Sequence, residues 1–326
     1  MSASTESHAL LEVKHLKKYF KSKSGMLHAV DDVDFSIERG RTLGVVGESG
    51  CGKTTLGRVI LGLLEATSGE IWFEGKEISH VKRREWKRNR CDMQIIFQDP
   101  MSSLNPKFTV MDCIAEPLRI FRICKNRSEL NSRVQELMEL VGLDSRLAGS
   151  YPHELDGGRR QRVGVAKALA LGPKFIVCDE PVSALDVSIQ AQILNLLKEL
   201  RIQKDLTYIF ITHDMSVVKH ISNDIIVMYL GCVVESCATR ELFQRQLHPY
   251  TKGLLAAIPV PDITVTRKKV LLQGELASPI DPKPGCRFAN RCSYAKEKCT
   301  EENPVLEEVL PGHSVSCHYC EEINSL

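Results

Sequence analysis

Short apolar runs separated by glycine, proline and acidic turns dominate this chain, and their period tells strand from helix. Leu10-Leu11-Glu12-Val13-Lys14-His15-Leu16 reads as a first strand, leading through Lys17-Lys18-Tyr19-Phe20 to a polar loop that ends at Gly25. Ala29 to Ile37 alternates around Val30, Val33, Phe35 and Ile37, as a half-buried strand does. Glu38-Arg39-Gly40 turns the chain into Thr42-Leu43-Gly44-Val45-Val46, a buried strand, and Thr55 to Leu61 follows as a helix. Ser68 to Gly75 predicts a strand between turns, Val81 to Arg90 a basic helix with a solvated face, and Met93 to Phe97 a buried strand that Pro100 brings to an end. Between Met101 and Gly149 the period becomes helical. Val110 to Ile123 and Ser128 to Val141 predict two helices, the second with Leu130, Val134, Leu137, Met138 and Val141 on one face. Another helix opens at Gly157-Gly158 and runs to about Leu171. Phe175-Ile176-Val177-Cys178 has the unbroken apolar character of a central parallel strand. Leu206 to Thr212 is a further strand, and Asp224 to Tyr229 with Cys232 to Glu235 forms a hairpin around Gly231. Beyond Ala238 the pattern thins. His248-Pro249-Tyr250-Thr251 starts a short helix to Ala257, Pro259 and Pro261 break it, and proline-rich loop continues to Gly285.

Composition narrows the possibilities. A chain of 326 residues with 43% hydrophobic content supports a full core and suggests two domains, or one with a large insertion. The net charge of +2 gives no sign of general nucleic-acid binding. No apolar run approaches the ~18 residues of a membrane span. Met1 to Leu11 lacks the basic-then-apolar order of a secretory signal, so a cytoplasmic setting is expected. Of 12 cysteines, Cys51, Cys91, Cys113, Cys124, Cys178, Cys232 and Cys237 are scattered, as small buried hydrophobes are, while five crowd the tail.

The sharpest chemical signal is Gly47-Glu48-Ser49-Gly50-Cys51-Gly52-Lys53-Thr54, which fits the phosphate-binding pattern G-x-x-x-x-G-K-[ST] between a strand and a helix opened by Thr55. The glycines let the backbone turn so that N–H groups face phosphate oxygens. Lys53 reaches the β- and γ-phosphates, Thr54 offers its hydroxyl to Mg²⁺, and the helix start adds positive dipole. Asp179 and Glu180 end the apolar strand at Cys178, where ligands bind in open α/β sheets; Asp179 is placed to hold Mg²⁺ and Glu180 to polarise an attacking water. Gln98, also at a strand end, can orient water or touch Mg²⁺, and His213 can contact the γ-phosphate. Asp156-Gly157-Gly158 opens a helix whose N–H groups form a second anion site. Phe20, in preference to Tyr19, can stack on a nucleotide base, with an ordinary sheet-core aromatic as the other reading.

In the tail, Cys286, Cys292, Cys299 and Cys317 are separated by five, six and seventeen residues, with Cys320 an alternate to Cys317. In a reducing compartment such a crowd suggests metal before disulfide. Structural zinc sites usually pair cysteines at C-x₂₋₄-C, so these gaps favour a [4Fe–4S] cluster over zinc.

The P-loop, Gln98, the Gly-Gly helix start, Asp179-Glu180, Asp186 and His213, in this order over residues 10–235, closely resemble the ATP-binding subunit of an ABC transporter. Gln98-Asp99-Pro100 with Ser102-Ser103-Leu104-Asn105-Pro106, His248-Pro249-Tyr250-Thr251, and Pro284-Gly285-Cys286-Arg287-Phe288 with Arg291-Cys292 resemble its oligopeptide/dipeptide importer branch, with nickel importers as close relatives. The resemblance implies an α/β fold: a P-loop NTPase (RecA-like) core, an N-terminal antiparallel β subdomain, a helical subdomain at about 99–172 and a small cysteine-rich extension. The ATP-binding domain would span 1–237 and the extension 238–326.

It also implies roles. Phe20 would stack on adenine, Gln98 would join nucleotide to transporter, and Asp179-Glu180 would be the Walker B pair. Asp186 would be the D-loop acid and His213 the switch histidine. That branch associates the tail with a [4Fe–4S] cluster. The implied activity is ATP hydrolysis that powers di- or oligopeptide import from the cytoplasmic face of a membrane. Its partners would be a second homologous ATPase, two transmembrane permeases and, indirectly, an extracytoplasmic solute-binding protein. Other readings are a nickel or other small-solute importer, a soluble ABC-type ATPase acting on ribosomes or DNA, and an ATP-switched metal or redox sensor. One departure stands out: the usual signature begins Leu-Ser-Gly-Gly-Gln, whereas this chain has Leu155-Asp156-Gly157-Gly158-Arg159. Asp156 would either face a phosphate or turn to cap its own helix.

Overall fold

The computed structural model describes residues 9–81, 83–257 and 278–326. Residues 1–8 of the segment read against a secretory signal, and Pro259 and Pro261 with the loop after them as far as residue 277, lie outside that set. The chain forms two compact units, Met1–His80 with Phe210–Leu326, and Val81–Ile209.

The first unit opens on a long antiparallel pair, β1 (Leu11–Ser22) and β2 (Gly25–Ile37), with Leu11 opposite Ile37 and Ser22 opposite Gly25. β1 thus runs straight through Lys17–Phe20 and the expected loop shrinks to two residues. Backbone pairing continues where the apolar alternation lapses, because residues 17–20 are only half-buried and need no apolar face. β3 (Thr42–Val46) is buried at every residue, and α1 (Lys53–Ile60) follows it. β4 (Ser68–Phe73) pairs with β1, and the short β5 (Lys76–Glu77) pairs with β4, completing the antiparallel order β2-β1-β4-β5.

The second unit begins with α2 (Arg83–Asp92) and β6 (Met93–Ile96). α3 (Val110–Phe121) and α4 (Arg127–Leu140) are capped by Thr109 and Asn126, whose side chains accept the N–H of Asp112 and Glu129. α4 buries Leu130, Val134, Leu137 and Met138, the face its sequence period predicts. α5 (Gly157–Leu169) leads to β7 (Phe175–Asp179), wholly buried and parallel to β6. α6 (Val187–Lys204) is the helix that patterning does not announce. Its buried Ile193, Leu197 and Leu200 share it with Val187 and Ile202, exposed at 82% and 76%, so no single apolar stripe stands out.

β8 (Thr207–Thr212) carries the chain back to the first unit, where α7 (Met215–Ile221), β9 (Asp224–Tyr229) and β10 (Cys232–Ala238) follow. β9 runs parallel to β3 and antiparallel to β10. Next come α8 (Thr239–Gln244), α9 (Pro249–Ala256), α10 (Lys298–Glu301), β11 (Glu307–Leu310), β12 (His313–Val315) and α11 (Cys320–Asn324). β12 pairs with β10, Glu235 opposite Val315, and β11 pairs with β12. The C-terminal region also shares a core with the P-loop strand: Leu242, Tyr250, Leu255 and Phe288 pack with Val46, Val227 and Tyr229. Beside that core the fully buried Glu235 carboxylate accepts the N–H of Leu247 at 2.7 Å, the N–H of His248 at 3.0 Å and His313 Nε2 at 2.8 Å, so its burial is compensated. Among the described residues no helix is long and apolar enough to cross a membrane.

Candidate active site

In the first unit the P-loop joins β3 to α1. Gly52 stands at φ +106° directly before α1, and a Cβ there would lie 2.0 Å from the Ala29 carbonyl oxygen. Gly47, at φ +152°, leaves a Cβ only 2.2 Å from the Met228 carbonyl oxygen, so neither position admits a side chain. Lys53 is 4% exposed, and its Nζ donates to the carbonyls of Gly47 at 2.8 Å and Glu48 at 2.9 Å. Burial pushes the Cys51 thiol up, against the pull of Lys53 nearby. Thr54 and Thr55 are half-buried on the first turn of α1, and Ser49 and Gly50 are exposed. Glu48 behaves differently from its neighbours. Its N–H donates to the Tyr250 hydroxyl at 2.9 Å, which removes it from the N–H groups open to an anion. Local spacing gives no hint of that bond, since Tyr250 is brought in only by α9.

Phe20 is half-buried near the end of β1, with Lys18 Nζ 4.8 Å from its ring centre. Tyr19 is committed elsewhere: it stacks on His28 at 3.9 Å and its hydroxyl donates to Asp31. His213 is exposed immediately after β8, and the next residue, Asp214, caps α7 by accepting the Ser216 N–H at 2.7 Å.

In the second unit the parallel register pairs Ile96 with Cys178, so Gln98 and Glu180, each two residues further on, emerge together. Gln98 Nε2 donates to Glu180 Oε2 at 3.3 Å. Asp179 is 5% exposed at the end of β7, and Glu180 follows it in the left-handed region at φ +47°. Asp156 resolves its two readings in favour of the cap: it accepts the Arg159 N–H at 2.7 Å, and Arg159 Nε lies 3.3 Å from its other oxygen. A Cβ on Gly158 would meet Ile189 at 2.6 Å and one on Gly157 would meet Leu185 at 3.0 Å, so the Gly-Gly turn packs against the segment around Asp186. That segment is tied by Gln190, whose Nε2 donates to Val182 O at 3.0 Å and Leu185 O at 2.9 Å, while Asp186 itself is exposed.

The tail cysteines correct an expectation. Among the described residues the one group of three or more His, Cys, Asp or Glu whose ligand atoms all lie within 4.8 Å of one another is His15, Asp32 and Asp34, on an exposed edge. The sulfurs of Cys286, Cys292, Cys299 and Cys317, with or without Cys320, do not all lie within that distance of one another, so neither the [4Fe–4S] cluster nor zinc is supported. The four line a cavity of about 10 Å³ together with His248, Phe288, Tyr294 and Tyr319, room for about one water. The physical reason is packing. Cys286 and Cys292 pack against the Phe288 core, and Cys317 packs with Leu247, Val315 and Cys320. Burial pushes the Cys286 thiol up to about 12 and Cys320 to about 11, and raises Cys292 and Cys317 as well.

Comparison with known proteins agrees with the motifs. A family model described as ABC transporter matches residues 30–183, and one described as oligopeptide/dipeptide transporter, C-terminal region, matches residues 234–299. The chain is 50% identical over 329 residues to the oligopeptide transport ATP-binding protein OppF of Escherichia coli (strain K12), covering 97% of this chain and 98% of that one. It belongs to the ABC transporter ATP-binding family. Another relative, the oligopeptide transport ATP-binding protein AppF of Bacillus subtilis (strain 168), is 47% identical across 95% of this chain and 97% of its own. Among solved structures, the dimeric post-hydrolysis state of the ATP-binding cassette MJ0796 bound to ADP and Pi is 30% identical, with a TM-score of 0.65 over 71% of this chain and 99% of that one. As a member of this family the chain is an ABC-type ATPase that uses ATP and Mg²⁺.

Proposed function

We propose that this chain is the ATP-hydrolysing subunit of a membrane-bound importer of di- and oligopeptides. The observation that carries the reading is the near full-length correspondence with oligopeptide transport ATP-binding proteins, which includes the C-terminal region at residues 234–299. The nickel reading lacks such support, as does the soluble ribosome or DNA reading. The chain works at the cytoplasmic face of the membrane as a peripheral subunit, with two permease subunits, a second homologous ATPase and a solute-binding protein upstream. Residues 99–172 dock on the permeases. Residues 1–237 form the ATP-binding domain, and 238–326 form an extension that packs on it.

Phosphoryl transfer asks the protein chiefly for positioning and charge stabilisation. In this reading P-loop N–H groups and Lys53 hold the β- and γ-phosphates, and Phe20 stacks on adenine. Thr54 in the first unit, and Gln98 and Asp179 in the second, each offer a hard oxygen donor of the kind Mg²⁺ takes, and Mg²⁺ would neutralise phosphate charge. Glu180 accepts a proton from the attacking water, with Gln98 orienting its carboxylate. His213 contacts the γ-phosphate. The Gly157-Gly158 turn and Asp186 serve the ATP of the partner ATPase.

Uptake of a labelled tripeptide in cells lacking this chain is the test. Loss of uptake, restored by the intact chain but not by Lys53→Ala, is the expected result. Unchanged peptide uptake with lost uptake of nickel would overturn the peptide assignment in favour of the metal.

A further inference from the structure

Glu48 places a carboxylate inside a loop that serves to bind polyphosphate, and the C-terminal region takes hold of it twice. Tyr250 accepts its backbone N–H. Arg291 forks onto the carboxylate, Nη1 to Oε2 at 2.8 Å and Nη2 to Oε1 at 3.1 Å. Such bidentate charged pairs are both strong and directional. The Arg291 side chain is only 9% exposed; its Nη1 also donates to the Tyr229 hydroxyl at 3.4 Å, and the bonds it donates to Glu48 raise its pKa still further. The neighbouring Arg287 donates to the Leu230 carbonyl and to Asp31, and Gly231, next along, donates its N–H to the Cys51 carbonyl at 2.9 Å. Both arginines sit on the short stretch from Cys286 to Cys292. Phe288 anchors that stretch from behind, buried 5.3 Å from the Tyr229 ring and 5.5 Å from Tyr250. This C-terminal segment therefore grips the P-loop on its carboxylate and the Leu230-Gly231 turn beside it.

We propose that Arg291 is a positioning residue for ATP, acting through Glu48. It neutralises the carboxylate and holds it fixed, so the loop presents N–H groups and Lys53 to the phosphates rather than an unpaired anion. The inference deepens the nucleotide role given to this loop above and rests on it. Without Arg291 the half-buried carboxylate repels polyphosphate, and ATP affinity falls. Removing the carboxylate as well removes the repulsion, so affinity returns. A clamp that only stiffens the loop predicts no such return.

The experiment is calorimetric titration of ATP with Mg²⁺ into the full-length chain, Arg291→Ala, Arg291→Ala with Glu48→Gln, and Lys53→Ala. Arg291→Ala is expected to weaken binding about tenfold or more, equal to ~1.4 kcal/mol, and the double variant to return within about threefold of the unaltered chain. If Arg291→Ala does not fold, Arg291→Met, which keeps an unbranched apolar stem without the charge, replaces it in both variants. Unchanged binding by the single variant in a chain whose parent binds ATP overturns this inference alone, as does a double variant no tighter than the single one. An unaltered chain that binds no better than Lys53→Ala overturns the nucleotide role and the inference with it.

Discussion

Glu180 holds a left-handed backbone at φ +47°, a conformation that costs a non-glycine residue about 1–3 kcal/mol. Its surroundings over-determine it: the Ser183 N–H and hydroxyl both donate to its carbonyl, at 3.3 and 3.1 Å, and Gln98 reaches its carboxylate. Glu180→Gln preserves shape while removing the proton acceptor, so ATP binding should persist and turnover in the assembled transporter should fall ~10²–10⁴-fold. Turnover near that of the unaltered protein would remove Glu180 from the mechanism. Asp156 offers a second check at this scale. Because its side chain caps α5, Asp156→Ala should lower unfolding free energy by about 1 kcal/mol in a denaturant titration, while Asp156→Ser, another good cap, should change it by only a few tenths. Equal losses for both would show that the cap contributes nothing. Residues such as Lys53, Gln98 and Glu180 are legible from sequence because their chemistry is written in short spacings next to apolar strands. Arg291 and Tyr250 are not, because only tertiary packing brings them to Glu48.

At the scale of elements, the strands and helices with one clean period were legible, among them β3, β7 and α4. α6 escaped because exposed Val187 and Ile202 blur its apolar face, and β12 because three residues carry too little pattern. The cysteine spacing misled for a related reason: gaps along the chain say nothing about where thiols point once an aromatic core forms around them. In that same region His248 caps α9, its Nδ1 accepting the Tyr250 N–H at 3.1 Å. Burial pushes its pKa from 6.5 down to about 4, against Glu235, which raises it, and together with Lys252, which lowers it. The unfolded chain therefore binds the proton that the folded chain refuses between those values. Stability is full above the unfolded pKa near 6.5 and declines as pH falls toward 4, by about 3 kcal/mol from this group. His248→Asn keeps a cap acceptor without the titration, so its unfolding free energy should fall less steeply from pH 6.5 to 4 than that of the unaltered chain. Identical slopes would remove His248 from the pH response.

At the scale of the whole molecule, with a second, non-identical ATPase as partner, the departure at Asp156 is expected to set the two ATP sites apart. In the family the signature serine stands beside the γ-phosphate of ATP held on the opposite subunit's P-loop, where a hydroxyl can donate. Asp156 cannot donate when ionised, and its carboxylate is turned to its own helix and to Arg159. Two unit charges ~4 Å apart repel by ~4 kcal/mol at an effective dielectric of ~20. The cap and the nearby guanidinium reduce that figure, yet even ~1.4 kcal/mol is a factor of ten in rate. The P-loop, Glu180 and His213 of this chain carry no such departure, so ATP on Lys53 can be served by a normal signature from the partner. Unequal sites are the expected outcome: the one completed by Asp156 should turn over slowly, and the one on Lys53 should carry most of the flux. Asp156→Ser restores the hydroxyl while keeping a cap. In the assembled complex with the Lys53 site silenced by Glu180→Gln, it should raise the residual ATPase rate several-fold. A residual rate that does not move, with ATP affinity at the partner's P-loop also unchanged, would mean that Asp156 does not set the asymmetry.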